Sequence, residues 1–175
     1  MTTTTDALEV DRGDTSVTRL VTDTLPDADD LPDGQVRMRV DRLAITANTV
    51  TYAEMGDMLG YWDFYPTGDD TWGRVPAMGW ADVTASAHPD VEAGGRYYGW
   101  FPVVGTVDLS VTPTRHGLRD DGEHRHAHAP VYRTFEDSRS DPLAPTGFVD
   151  AEELGDLEDR QALLRGLFLT GFLAD

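Results

Sequence analysis

The chain of 175 residues contains no cysteine and no lysine. Without cysteine there can be no disulfide, and no thiolate for a structural or catalytic zinc site. Without lysine, arginine carries all the fixed positive charge, 14 residues against 32 Asp and Glu, and the formal net charge is -18. So acidic a surface lacks the basic footprint that DNA, RNA or an anionic membrane requires, and none of these is expected as a partner. Long apolar runs are missing too, so no segment is a candidate membrane span. The N-terminus, MTTTTDALEVDRGD, has neither a basic n-region nor an apolar h-region, which excludes a secretory signal and makes a cytoplasmic location the expectation. Also absent are a Ser nucleophile elbow, a Walker loop and a GxGxxG turn. Gly94-Gly95 is too short to cradle a dinucleotide.

What remains suits one domain with a real core, hydrophobic residues making up 39% of the chain. The Thr-rich residues 1–6 read as a disordered tail. Ala7–Val10 and Ser16–Thr24 read as short strands about a turn at Asp11–Asp14. Val36, Met38 and Val40 alternate with polar residues at the period of a half-buried strand. The phase then slips, and Leu43 and Ile45 carry the apolar face on, as one inserted β-bulge residue would cause. Val50–Leu59 suits a short helix or an irregular turn, Val75–Ala87 and Arg96–Val104 suit barrel strands, and Val107, Leu109 and Val111 form another strand that Pro113 should end. Thr114–Thr146 is polar and aperiodic, which predicts an excursion or lid with some structure of its own.

The C-terminal residues 150–175 read as helical. Asp150 with Glu153 makes a capping box, and Gly155-Asp156 is a place for the helix to break. Apolar side chains from Leu157 to Leu173 crowd nearly all round the cylinder, leaving a polar stripe at Asp159, Arg160 and Arg165. Such a helix needs cover on more than one side, from a second domain, a partner chain or self-association.

Four stretches carry a family likeness: Gly34-Gln35-Val36-Arg37-Met38-Arg39-Val40, Thr46-Ala47-Asn48 with Tyr52, the run Arg74–Val83, and Gly94-Gly95-Arg96-Tyr97-Tyr98-Gly99. In this order they resemble the N-terminal, GroES-like domain of zinc-free medium-chain dehydrogenases/reductases of the quinone oxidoreductase type. Through Pro130-Val131-Tyr132 and the terminal LLRGLFLTGFL, most of the chain is also similar to an uncharacterised bacterial family, DUF2855. The first resemblance implies a mainly β fold with helices (α+β): a partly open, GroES-like barrel over 7–149, including the 114–146 excursion. The helix at 150–175 would then be the junction to a missing nucleotide-binding domain. It implies that this chain holds no cofactor itself, that a Rossmann domain elsewhere would bind NADPH or NADH, and that the substrate is an enone, quinone or related carbonyl. Asn48 and Tyr52 would be the catalytic pair. Tyr61, Trp62, Phe64, Tyr65 and Trp80 would line the substrate pocket. Residues 1–175 alone are then not expected to be active. The alternative is a stand-alone small-molecule-binding or protein-interaction domain without catalysis.

Each of these residues also has an ordinary structural reading. Asn48 suits a turn that it satisfies by its own hydrogen bonds, Tyr52 suits a barrel rim, and the aromatic run suits core packing. His124, His126 and His128 alternate and would share one face of a strand. In so polar a stretch they read as a solvated loop, and no metal is expected.

Overall fold

The computed structural model describes residues 3–141 and 150–172, with side chains through Arg165. The chain opens with a hairpin, β1 (Thr3–Asp11) and β2 (Thr18–Leu25), paired from Thr3↔Leu25 to Val10↔Thr18. Asp11 forms the turn by accepting the amides of Gly13 and Asp14. Thr3–Asp6 is thus strand, not disordered tail. β-Branched threonines fit a pleated ladder, and buried Thr5 accepts the amide of Thr106 at 2.8 Å.

β3 (Gln35–Ala44) follows, then two short helices, α1 (Ala47–Glu54) and α2 (Gly56–Leu59), and a 3-10 turn at Tyr61–Phe64. β4 (Trp72–Gly73) pairs with β1, giving a three-stranded sheet in the order β2-β1-β4. β5 (Pro76–Ser86), β6 (Arg96–Pro102), β7 (Thr106–Thr114), β8 (Gly117–Asp120) and β9 (Thr134–Asp137) complete the strands. The second sheet closes into a six-stranded barrel, β3-β5-β6-β9-β8-β7. Its shortest seam joins β6 to β9 through Tyr97↔Asp137 and Tyr98↔Glu136. The long helix α3 (Ala151–Phe172) lies against the outside. No helix among the described residues is long and apolar enough to cross a membrane.

The bulge stands where the phase slips. Val40 faces Ala81 and Arg42 faces Trp80, which leaves Asp41 without an opposite residue. Before it, Val36 and Met38 point into the barrel, fully buried. After it, Leu43 returns to the core while Ala44 turns outward beneath α3. Ile45 lies beyond the strand end and is exposed, not in the core. A second irregularity sets Thr84 aside on β5. Inside the barrel, Val36, Met38, Ala81, Val83, Phe101, Leu109, Val111, Leu118 and Phe135 form one cluster. Burying each of the larger ones contributes roughly 1.5–3 kcal/mol.

The stretch 114–146 is not simply an excursion. Two barrel strands, β8 and β9, lie within it, and the turns between them cover one barrel end. Residues 142–146 fall outside the described residues. Pro113 does not end β7, which pairs on to Thr114. Pro113 is exposed there, where its missing amide costs little.

α3 runs unbroken through Gly155-Asp156. Asp150 caps it as expected, with one carboxylate oxygen accepting the amides of Glu152 and Glu153. The buried face departs from expectation. Glu158, Gln161, Ala162 and Arg165 face the barrel, while Leu154, Leu163 and Leu164 face solvent. Arg165, expected on a polar outer stripe, is buried and pairs with Glu136 and Asp141. The side chains of Leu167, Phe168, Leu169, Phe172 and Leu173 fall outside the described residues.

Trp62 locks the small sheet to the helices. It packs with Val10, Ala53 and Val75, and its indole lies close against two glycines. A Cβ on Gly73 would stand 2.1 Å from the ring, and one on Gly56 2.2 Å. Gly73→Ala should therefore cost roughly 1–3 kcal/mol by overpacking, read as a lower midpoint in urea denaturation. Adding Trp62→Ala should remove most of the Gly73→Ala penalty. A neutral Gly73→Ala would contradict the wedge.

Candidate functional site

The local chemistry at the start of α1 decides what Asn48 can do. The helix is capped by Thr46, whose hydroxyl accepts the Asn48 amide at 3.2 Å, while Thr49 accepts the Thr46 amide at 3.1 Å. The turn is thus satisfied by the two threonines. The exposed Asn48 carboxamide has no partner among the described residues. Tyr52 comes one helical turn later, on the same face. Its ring is half-buried against Tyr61 at 4.8 Å and Trp100 at 5.0 Å between centroids. Its hydroxyl likewise has no hydrogen bond among the described residues. Burial, and secondarily Tyr132, raise the Tyr52 pKa, so the phenol is held protonated as a donor.

Below Tyr52 lies a stack of rings. Tyr61 meets Phe64 edge-on at 5.3 Å and Tyr132 at 5.8 Å, and Tyr132 meets Trp100 at 5.1 Å. The hydroxyls of Tyr61 and Tyr132 are 3.2 Å apart. Burial first, then this hydrogen bond, pushes the Tyr61 pKa up. Tyr65 is fully enclosed and donates to the Trp100 carbonyl at 2.6 Å. Tyr61, Phe64 and Tyr65 are therefore packed into the barrel end, and Tyr52 with Asn48 forms its solvent-facing rim.

Of the other two expected pocket residues, Trp62 belongs to a neighbouring cluster against which Tyr52 also packs, and Trp80 lies elsewhere. Trp62 is the wedge of the small sheet. Trp80 is on the outer wall beneath α3, 5.1 Å from Tyr98, with its indole N–H donating to the Glu158 carbonyl at 3.2 Å. Alternation along β5 accounts for this: Ala81 and Val83 point inward, so Trp80 points outward.

The segment between β8 and β9 closes the aromatic end. Arg125 is wholly buried, 3.1 Å from the equally buried Asp120, and donates to the Tyr132 carbonyl at 2.5 Å. Its guanidinium lies 4.3 Å from the Phe64 ring centroid and 5.0 Å from that of Tyr65. The three alternating histidines have separate surroundings, because they sit on and after a 3-10 turn and not on a strand. His126 contacts the Asp121 carbonyl, and His128 packs on Phe64 at 4.4 Å. Among the described residues no group of three or more His, Asp or Glu side chains is placed to hold a metal. Trp100, Arg125 and Asp120 were not singled out from sequence as parts of this end. Their signals were one aromatic among several in β6 and charges in a polar loop.

The starts of α1 and α3 are both capped by side chains of this chain. Helix N-termini bind phosphate through free amides and a glycine-rich entry. α1 is entered through Ile45-Thr46 and capped by its own threonines, and the first amides of α3 are taken by Asp150.

His128 makes this end sensitive to pH. Burial first, then Arg125, lowers its pKa below the usual 6.5. With a depressed native pKa, the unfolded chain takes up the proton first, so stability is full above pH 6.5 and declines as pH falls toward the native value. The melting temperature should drop between pH 7.5 and 5.5, and His128→Gln should flatten that drop. An unchanged slope in the variant would place the sensitivity elsewhere.

No curated protein matches the chain. The family described as "Protein of unknown function (DUF2855)" matches residues 43–175, from the end of β3 through the barrel and α3, and the chain belongs to that family.

Proposed function

We propose that this chain is the substrate-side domain of a medium-chain dehydrogenase/reductase-like protein of the quinone oxidoreductase type. The observation that carries the reading is the pair of unpartnered donors on one face of α1. The Asn48 carboxamide and the Tyr52 hydroxyl stand at the rim of a ring stack, where a flat conjugated carbonyl compound has an apolar surface to lie on and two groups to bind its oxygen. The Tyr52 hydroxyl, protonated and without a hydrogen-bond partner among the described residues, would donate to the carbonyl oxygen. Asn48 would fix its orientation. The closed, mainly β barrel is compatible with a GroES-like domain. NADPH or NADH would have to be held by a nucleotide-binding domain supplied beside this one. The outward Leu163 and Leu164 of α3 give such a domain an apolar surface to meet.

The tight packing of Tyr61, Phe64 and Tyr65 favours a second reading, in which the end of the barrel is a binding surface without catalysis. Both readings place the ligand at the same rim. Residues 1–175 should bind a 1,4-naphthoquinone with quenching of tryptophan fluorescence. Asn48→Ala and Tyr52→Phe should each weaken that binding roughly tenfold, the effect of about one hydrogen bond. Binding that neither substitution changes, or no binding, would overturn the assignment of the rim. Turnover of the quinone when a cofactor-binding domain is added separates the enzyme from the binding surface.

A further inference from the structure

β2 is the edge of its sheet among the described residues, and it carries few of the usual defences of an edge. It runs eight residues with no proline, and its pairing with β1 is regular from end to end. Leu20 at its centre is 79% exposed, beside a shallow groove lined by Leu8, Val103 and Val104.

The backbone shows which groups are open. On β1, Leu8 donates to Val103 and Asp6 accepts from Gly105, so the even-numbered residues of β1 bond toward the barrel. Its odd-numbered residues bond to β2, as Asp11 donating to Val17 confirms. Arg19, Val21 and Asp23 are therefore the β2 residues bonded to β1. The amides and carbonyls of Thr18, Leu20, Thr22 and Thr24 point away from the sheet.

We propose that β2 pairs antiparallel with β2 of a second copy of this chain, joining two three-stranded sheets into one of six strands about a two-fold axis. The parity of the open backbone groups allows a register only where even residues meet even residues. Of these, centring the axis on Val21 sets Thr18 opposite Thr24, Leu20 opposite Thr22 and Arg19 opposite Asp23, each twice by symmetry. A shift of the axis to Leu20 or to Thr22 puts Arg19 opposite Val21 or Leu25 and loses both charge pairs. Arg19 uses Nε and Nη2 on Glu9, and Asp23 uses Oδ2 on Arg74. Arg19 Nη1 and Asp23 Oδ1 have no partner among the described residues and are left for the other copy. The two Leu20 side chains meet diagonally across the new ladder, within reach of each other. The only two charged residues on the edge thus complement a second copy of the same edge.

Sedimentation in moderate salt, where the repulsion between acidic chains is screened, should give a mass twice 19.3 kDa at high concentration. Leu20→Pro removes an outward amide without touching the bonds to β1, so it should return the mass to 19.3 kDa with the circular dichroism unchanged. The absence of native cysteine gives an independent arm. Residues opposite each other in a non-hydrogen-bonded pair lie about 4.5 Å apart at Cα, within disulfide range. Val21→Cys should therefore cross-link in oxidised glutathione at least tenfold faster than Leu20→Cys or Thr22→Cys. A monomer at every concentration, a dimer that survives Leu20→Pro, or faster linking through residue 20 or 22 would each overturn the proposal. A dimer indifferent to all these changes would lie on α3 instead.

Discussion

Arg96 is the pivot of the structure. In a chain with so few cations, it gathers carboxylates from three elements: Glu158 of α3 at 2.6 Å, Asp41 of the bulge at 2.7 Å and Asp82 of β5 at 2.8 Å. It also lies 5.6 Å from the Trp80 ring. Burial by itself would lower its pKa, and the carboxylates, Glu158 foremost, outweigh that and hold it charged. Arg42 extends the network to the Gly155 carbonyl and Asp159, and Arg165 pairs Glu136 and Asp141 at the far end of the described helix. Removing one partner of a buried fork is far more costly than the pair is favourable. The network therefore decides orientation more than it adds stability. It docks α3 by its charged face and turns Leu163 and Leu164 outward.

The same economy of cations shapes the barrel end. Arg125 and Asp120 neutralise each other inside the segment that covers Phe64 and Tyr65, and Arg119 with Arg133 holds Asp121 beside them. The hydrogen bond from Arg119 is the largest cause of a pKa of about 2 for Asp121, so these contacts persist through mildly acidic conditions. A rigid apolar floor is thereby set under Tyr52 and Asn48. In the function proposed above, the packed rings below and the two donors above would orient a flat ligand with little loss of side-chain freedom on binding.

Much of this was legible in the residues. The slip between Val40 and Leu43 announced a bulge, because period-two alternation cannot change phase without an extra residue, and it stands at Asp41. Asp150 announced the start of α3. Tyr61, Phe64, Tyr65 and Tyr52 do come together. β8 and β9 were not legible, since strands of four residues bury one large side chain each, Leu118 and Phe135, and give no period to read. The strand at Thr3–Asp6 was hidden by threonine, which suits a tail and a ladder alike. The docking face of α3 was read from hydrophobicity alone. Which partners its charged residues would meet, Arg42 on β3, Arg96 on β6 and Glu136 on β9, depends on how those strands are arranged in the barrel, a fact of topology that no local pattern carries. Trp80 resembled a pocket residue for the same reason: aromatic content does not say which side of a strand faces which layer.

The central claim is that charge, centred on Arg96, docks α3 on a barrel that is otherwise self-supporting. Amide hydrogen exchange on an Arg96→Met variant tests it most directly, since methionine keeps much of the packing of the arginine stem and removes the fork. The account predicts that amides from Glu158 to Arg165 lose at least tenfold of their protection while those of Val36, Met38 and Val83 keep theirs. Unchanged protection in α3, or its loss together with the barrel strands, would contradict it.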